Sequence, residues 1–186
     1  MNLKIDARDK WGVLRAVKDQ LILPNGLLMD DVDEQKPWGA YYRFLPSQKD
    51  RFLALFFQDL GLAALGDCSP KLLVFEPGKK ISLQYHERRD EIWRVLYGTV
   101  EGFFGDGDEV GAYRSYRVGE AFTYKAKTRH KGGASAEGWA VVAEIWQHTD
   151  PAHLSDEADN IRLADDFGRG EGALRALGLD RRPARS

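Results

Sequence analysis

Gly78-Lys79-Lys80-Ile81-Ser82-Leu83-Gln84-Tyr85-His86-Glu87-Arg88-Arg89-Asp90-Glu91-Ile92-Trp93-Arg94-Val95-Leu96-Tyr97-Gly98 places three side chains that can bind metal, Gln84, His86 and Glu91, between two turn glycines. Residues 79 to 86 alternate well enough to form a strand, and a period of two puts Ser82, Gln84 and His86 on one face. Glu91 has the other parity, so an unbroken strand would point it away. The intervening Glu87-Arg88-Arg89-Asp90 is wholly charged and reads as an exposed turn. Beyond it, Glu91, Trp93, Val95 and Tyr97 share a face of the next strand, and Glu91 turns back towards Gln84 and His86. A carboxylate, an imidazole and an amide oxygen converging inside an apolar sheet are costly unless paired. A divalent cation supplies the pairing; a hydrogen-bonded His86 and Glu91 in the core is the alternative.

This spacing resembles the first motif of the cupin superfamily, with Gln84 where many members carry the first histidine. The superfamily's second motif runs glycine, five residues, proline, one residue, glycine, two residues, histidine. Here Gly119, Lys125, Lys127 and His130 stand at those places, so both turn residues are lysines and the histidine is kept. The resemblance makes His130 the fourth candidate ligand. Within the superfamily, Lys36-Pro37-Trp38-Gly39, Pro77-Gly78, Ser82 to His86, Arg89 to Trp93 and Asp159 to Arg169 look like the cupin domain of type II mannose-6-phosphate isomerases, over roughly residues 34 to 170. That branch commonly has three histidines where this chain has His86-Glu87-Arg88, and the segment 47 to 69 looks like an insertion. The resemblance implies an all-β fold, a double-stranded β-helix (the cupin or jelly-roll barrel) with a few peripheral helices, and a homodimer.

Hydrophobic patterning points to the same class. After Lys71 the expected strands are Leu72 to Phe75, Ile81 to His86, Glu91 to Phe104, Ala112 to Val118, Ala121 to Tyr124 and Trp139 to Gln147, with Gly105-Asp106-Gly107-Asp108 as a hairpin turn and Trp38 to Leu45 as an earlier strand. Many strands with short turns mean a closed or sandwich-like β body. Trp11, Leu14, Val17 and Leu21 fall at helical spacing within residues 8 to 20, and the acidic stretch Asp30 to Glu34 separates an N-terminal arm, 1–33, from the barrel at 34–150. Phe52, Leu55, Phe56, Leu60 and Ala63 predict a second helix from Asp50 to Leu65, facing the core or a dimer contact. Residues 151–186 form an extension with a short helix around Ala173 to Leu177 and a basic tail at Arg181 to Arg185.

A chain of 186 residues suits one domain able to bury a core. Its net charge of -2 gives no general attraction to nucleic acid or to an anionic membrane. Cys68 stands alone, so no internal disulfide forms. The charged start lacks the apolar centre of a signal peptide, and no apolar run reaches the length of a membrane helix, so a cytoplasmic protein is expected.

Gln84, His86, Glu91 and His130 carry one formal negative charge, which leaves a bound divalent ion net positive and open to substrate: a Lewis acid site. Zinc fits the set, with manganese, cobalt, nickel and iron open. Arg88, Arg89, Lys125 and Lys127 read as a basic lip for an anionic sugar substrate, or else as solvated turn residues. The resemblance implies aldose-ketose isomerisation of mannose 6-phosphate and fructose 6-phosphate, through an enediolate formed when a base removes a carbon-bound proton. Glu144 is the first candidate base and Lys125 the second; Glu144 as a structural partner of an arginine is the competing reading. A nucleotide-sugar isomerase or epimerase, a dioxygenase and a non-catalytic carbohydrate-binding cupin remain alternatives at this point.

Overall fold

The computed structural model describes residues 3–62, 65–107 and 109–167. The helix expected at Ala173 to Leu177, the basic tail, and Asp108 of the hairpin turn lie outside the described residues. Helix α1 spans Lys10–Val17, opened by the Asp9 carboxylate accepting from the Gly12 N–H, and runs on as a wider π turn over Lys18–Ile22. Strand β1 is Met29–Asp33, β2 is Gly39–Phe44, helix α2 is Lys49–Phe56, and β3 is Cys68–Phe75. There follow β4 (Leu83–Tyr85), β5 (Arg89–Tyr97), β6 (Thr99–Gly105), β7 (Arg114–Arg117), β8 (Ala121–Tyr124), β9 (Arg129–Ala134), β10 (Ala140–His148) and β11 (Ile161–Ala164). They make two antiparallel sheets, one ordered β1-β2-β3-β10-β5-β8 and the other β11-β4-β9-β6-β7.

The larger sheet is covered on both faces. Its inner face, with Leu73, Phe75, Trp93, Val95, Phe122 and Val142, packs inside the barrel. Its outer face, with Tyr42, Phe44, Leu72, Val74, Val141 and Ile145, meets Val13, Leu14, Val17, Phe52 and Phe56 from the arm and α2. Double coverage explains why β10 is buried over seven successive residues instead of alternating. Each large apolar side chain so placed contributes about 1.5–3 kcal/mol. The arm is therefore built into the core, and α2 faces the core.

Several elements depart from the sequence reading. Asp30 to Asp33 belongs to β1, hydrogen-bonded to β2, and is not a separator. The strand expected from Glu91 to Phe104 is cut at Gly98, whose φ of 73° only glycine adopts freely and where a side chain would run into the Trp139 carbonyl. An irregularity between Val141 and Val142 in the β5 to β10 pairing lets Tyr97 join the outer core while Glu91, Trp93 and Val95 stay buried inside. The second helix stops at Phe56, followed by a 3-10 turn over Gln58–Leu60.

Candidate metal centre

Two facing rows of side chains build the site. On the larger sheet Glu91 stands between Trp146 of β10 and Tyr124 of β8. On the smaller one Gln84 stands between Arg162 of β11 and His130 of β9. Residues opposed across antiparallel strands share a face, so both rows look into the barrel. His86 follows β4 directly and completes the group.

The tautomers of both histidines follow from their outer partners. His86 Nδ1 lies 3.0 Å from the Asp159 carbonyl oxygen and His130 Nδ1 lies 2.9 Å from that of Thr128. A carbonyl only accepts, so each Nδ1 carries the hydrogen and each Nε2 offers a lone pair inward. His86 Nε2 is 2.9 Å from Glu91 Oε1, and His130 Nε2 is 3.5 Å from Glu91 Oε2. Glu91 Oε2 and His130 Nε2 are buried without a hydrogen-bond partner. Burial lowers the pKa of His86, outweighing the pull of Glu91. Burial would raise that of Glu91, but the charge of Arg89, whose Nε donates to its carboxylate, helps hold it well below the usual carboxylate range. An ionised carboxylate facing two imidazole lone pairs is a repulsive set that a divalent cation resolves, and the three donors lie within 4.8 Å of one another. The donor set therefore fits a metal ion. Tyr124 stacks on the His130 ring at 4.3 Å and fixes its plane.

No protein-family model matches this chain, and no curated protein matches it by sequence. Solved structures do. Two variants of oxalate decarboxylase from Bacillus subtilis align with TM-scores of 0.51 at 14% and 15% identity, covering 82% of this chain and 36% of theirs. A third structure of that enzyme, studied for its Mn(II) centres, aligns with the same TM-score at 15% identity. This chain has the cupin fold. At such identity the likeness establishes the fold alone, and the chain spans about a third of the length of those decarboxylase chains.

The cupin frame shows how the second motif works without its glycine. Lys127, at the glycine position, has a φ of 67°, the left-handed conformation, and its N–H donates to the His86 carbonyl at 2.6 Å. The two motifs are thereby clasped back to back. Gln84 reaches the centre, but its amide nitrogen lies 3.4 Å from His86 Nε2 while its oxygen accepts from the Ser82 hydroxyl at 2.7 Å. Coordination through oxygen requires the amide to turn over, with the Ser82 hydroxyl then accepting.

The basic lip is redistributed. Arg89 opens β5 and is buried, not in an exposed turn. Its Nε donates to Glu91 at 3.0 Å, Nη2 lies 3.1 Å from His86 Nε2, Nη1 donates to Ser155 and to the Asp156 carbonyl, and the guanidinium lies 3.4 Å from the Trp146 ring centre. It braces Glu91, with most of its donors taken up by protein groups. Lys125 and Lys127 are 70% and 71% exposed and lean on Asp90 and Glu87; Arg88 leans on Asp156 and Asp159. None of these three lines the cavity of about 60 Å³ beside the centre.

The cations that do line it are Lys36, Lys71, Arg89 and Arg162. Lys71, absent from the sequence reading, is buried with Nζ 3.1 Å from the Trp146 ring centre and 3.2 Å from Glu157 Oε1. A lone lysine within the apolar run Cys68 to Phe75 was its signal. Glu144 lines the cavity as well, and its Oε1 accepts from Trp93 Nε1 at 2.8 Å. Burial, reinforced by the Glu91 charge, raises its pKa to about 8 against the opposing pull of Lys71 and Arg89.

Proposed function

We propose that this cupin is a metal-dependent isomerase that interconverts an aldose and a ketose bearing an anionic group, in the manner of the mannose 6-phosphate and fructose 6-phosphate pair. The observation that carries the reading is the pairing of two different sites: a donor set of His86, ionised Glu91 and His130, of which Glu91 lines the cavity, and a neutral-prone Glu144 that lines the same cavity. A divalent ion held by those donors, with Gln84 turned over, would supply positive charge to polarise a carbonyl and its neighbouring hydroxyl.

Glu144 does the proton work. A carboxyl titrating near 8 is poised to take a proton from carbon and return it to the adjacent carbon, since both forms are accessible near neutrality. Trp93 fixes one carboxylate oxygen and so orients the group. Lys71 places a buried cation on the same wall, opposite Glu144 in the β3 to β10 register, where it favours the ionised base. Trp38, Trp93 and Trp146 give the cavity apolar ring surface, which excludes water and packs against the C–H faces of a sugar.

A panel of hexose phosphates, incubated anaerobically in heavy water with the metal-loaded protein, tests the proposal. Interconversion with deuterium entering the carbon next to the carbonyl is the expected result. Binding without exchange would make the chain a carbohydrate-binding cupin, and turnover that needs oxygen would make it a dioxygenase.

A further inference from the structure

Four cations line the cavity, and three of them are engaged. Arg89 is taken up by Glu91, His86, Ser155 and the Asp156 carbonyl. Lys71 pairs with Glu157, and Lys36 pairs with Asp33 at 3.1 Å. Arg162, half-buried on β11, has no hydrogen-bond or ion-pair partner among the described residues. Its register opposite Gln84 sends it into the barrel, one strand away from the metal donors.

Two further groups that line the same cavity are unsatisfied, Asn160 beside Arg162 in sequence and Trp146 on the facing sheet. Asn160 Oδ1 is a buried acceptor without a donor, and Trp146 Nε1 is a buried donor without an acceptor. Leaving such groups unpaired costs about 1–3 kcal/mol each. A charged fork and an orphan acceptor on the β11 side of the cavity, with an orphan donor facing them from β10, describe the complement of a single ligand type. It carries an anionic oxygen group for the guanidinium, a hydroxyl to donate to Asn160, and an oxygen to accept from Trp146.

We infer that Arg162, Asn160 and Trp146 form the subsite that anchors the substrate's anionic group and an adjoining hydroxyl, so that the recognised class is a phosphorylated or carboxylated sugar held between β11 and the facing strand β10. The inference rests on the proposed sugar-anion chemistry of the metal centre. It moves substrate recognition from the exposed lysines of the second motif to the strand that follows the barrel. Arginine suits the role because its planar fork meets a phosphate or carboxylate through two parallel hydrogen bonds.

The test is calorimetric titration of the metal-loaded protein with mannose 6-phosphate, mannonate, mannose and inorganic phosphate, with metal content and melting temperature measured for every variant. Wild type binds mannose 6-phosphate or mannonate more tightly than mannose, and the stronger of the two names the anion. Arg162→Gln weakens the anionic sugar by about tenfold or more with metal content and melting unchanged. Arg162→Lys recovers part of that loss, and Asn160→Ala weakens the anionic sugar while sparing inorganic phosphate. Unchanged affinity in Arg162→Gln, an equal loss in Lys125→Gln, or no preference of wild type for the anionic sugars overturns the subsite. Arg162-dependent binding in a protein without metal would leave the subsite standing and remove the metal centre instead.

Discussion

Glu144 and Lys127 show how single positions carry the account. For Glu144 the folded chain holds a proton up to about pH 8, whereas the free carboxyl releases it near 4.5. Between those values the folded state binds more protons than the unfolded one, so stability contributed by this group is present below the lower value and is lost as pH rises through the upper. Urea denaturation should therefore show wild-type stability falling between pH 5 and pH 8.5, roughly the window set by those pKa values, with Glu144→Gln showing a flatter dependence. On the proposed role of Glu144 as base, the same ionisation acts in the opposite sense: kcat/KM for the hexose phosphate should rise with pH towards about 8 and be lost in Glu144→Gln. At Lys127 a lysine holds the left-handed backbone that glycine adopts without strain. Lys127→Gly should stabilise the fold by about 1 kcal/mol, a rise of roughly 2–4 °C in melting temperature. At this scale two turns and strand parity were enough to turn Gln84, His86 and Glu91 towards one another, whereas His130 came only from the resemblance; the structure brings His86, Glu91 and His130 within 4.8 Å of one another. The spacing did not show where the cations lie, because charge in a sequence says nothing of which lysine or arginine is already paired: Arg89 lies in a β strand bound to Glu91, while Lys125 is mostly exposed and pairs with Asp90.

Among elements, the segment from Ser155 to Ala164 does most to hold the first motif. Asp159 is buried, its carboxylate accepts from the N–H groups of Glu87 and Arg88 and from the Ser155 hydroxyl, and its carbonyl accepts from His86 Nδ1. It thus fixes both the turn between the ligands and the tautomer of one of them. Asp159→Ala should lower metal affinity by about 10–100-fold, read by competition with a chromophoric chelator, while leaving the cavity cations in place. A metal affinity equal to wild type would show that the segment is a passive cover. Neither β9 nor β11 was visible in the sequence. Arg129-His130-Lys131-Gly132-Gly133-Ala134 lacks the branched and aromatic residues that mark strands, and it is held by pairing with β6 and β4 on either side. By contrast β8, an alternating aromatic tetrad, was found at its true bounds, Ala121–Tyr124.

For the whole molecule, the larger sheet belongs to two cores at once, and the arm supplies a third of the buried residues of the outer one. Leu14 is fully buried there, so Leu14→Ala should cost about 2–5 kcal/mol, seen as a large fall in thermal midpoint. A near-neutral result would mean that the arm docks weakly and that the barrel stands without it. Helical spacing revealed the arm's apolar stripe, but its destination depended on which sheet face lacked a partner, a property of the assembled fold. The central claim is that His86, Glu91 and His130 converge to bind a divalent ion. The most direct measurement is the metal bound per chain after equilibrium dialysis against zinc or manganese, in wild type and in the His86→Ala/His130→Ala double variant. About one ion per wild-type chain is expected, and none above background in the double variant. Equal metal in both proteins, or none in either, would contradict it.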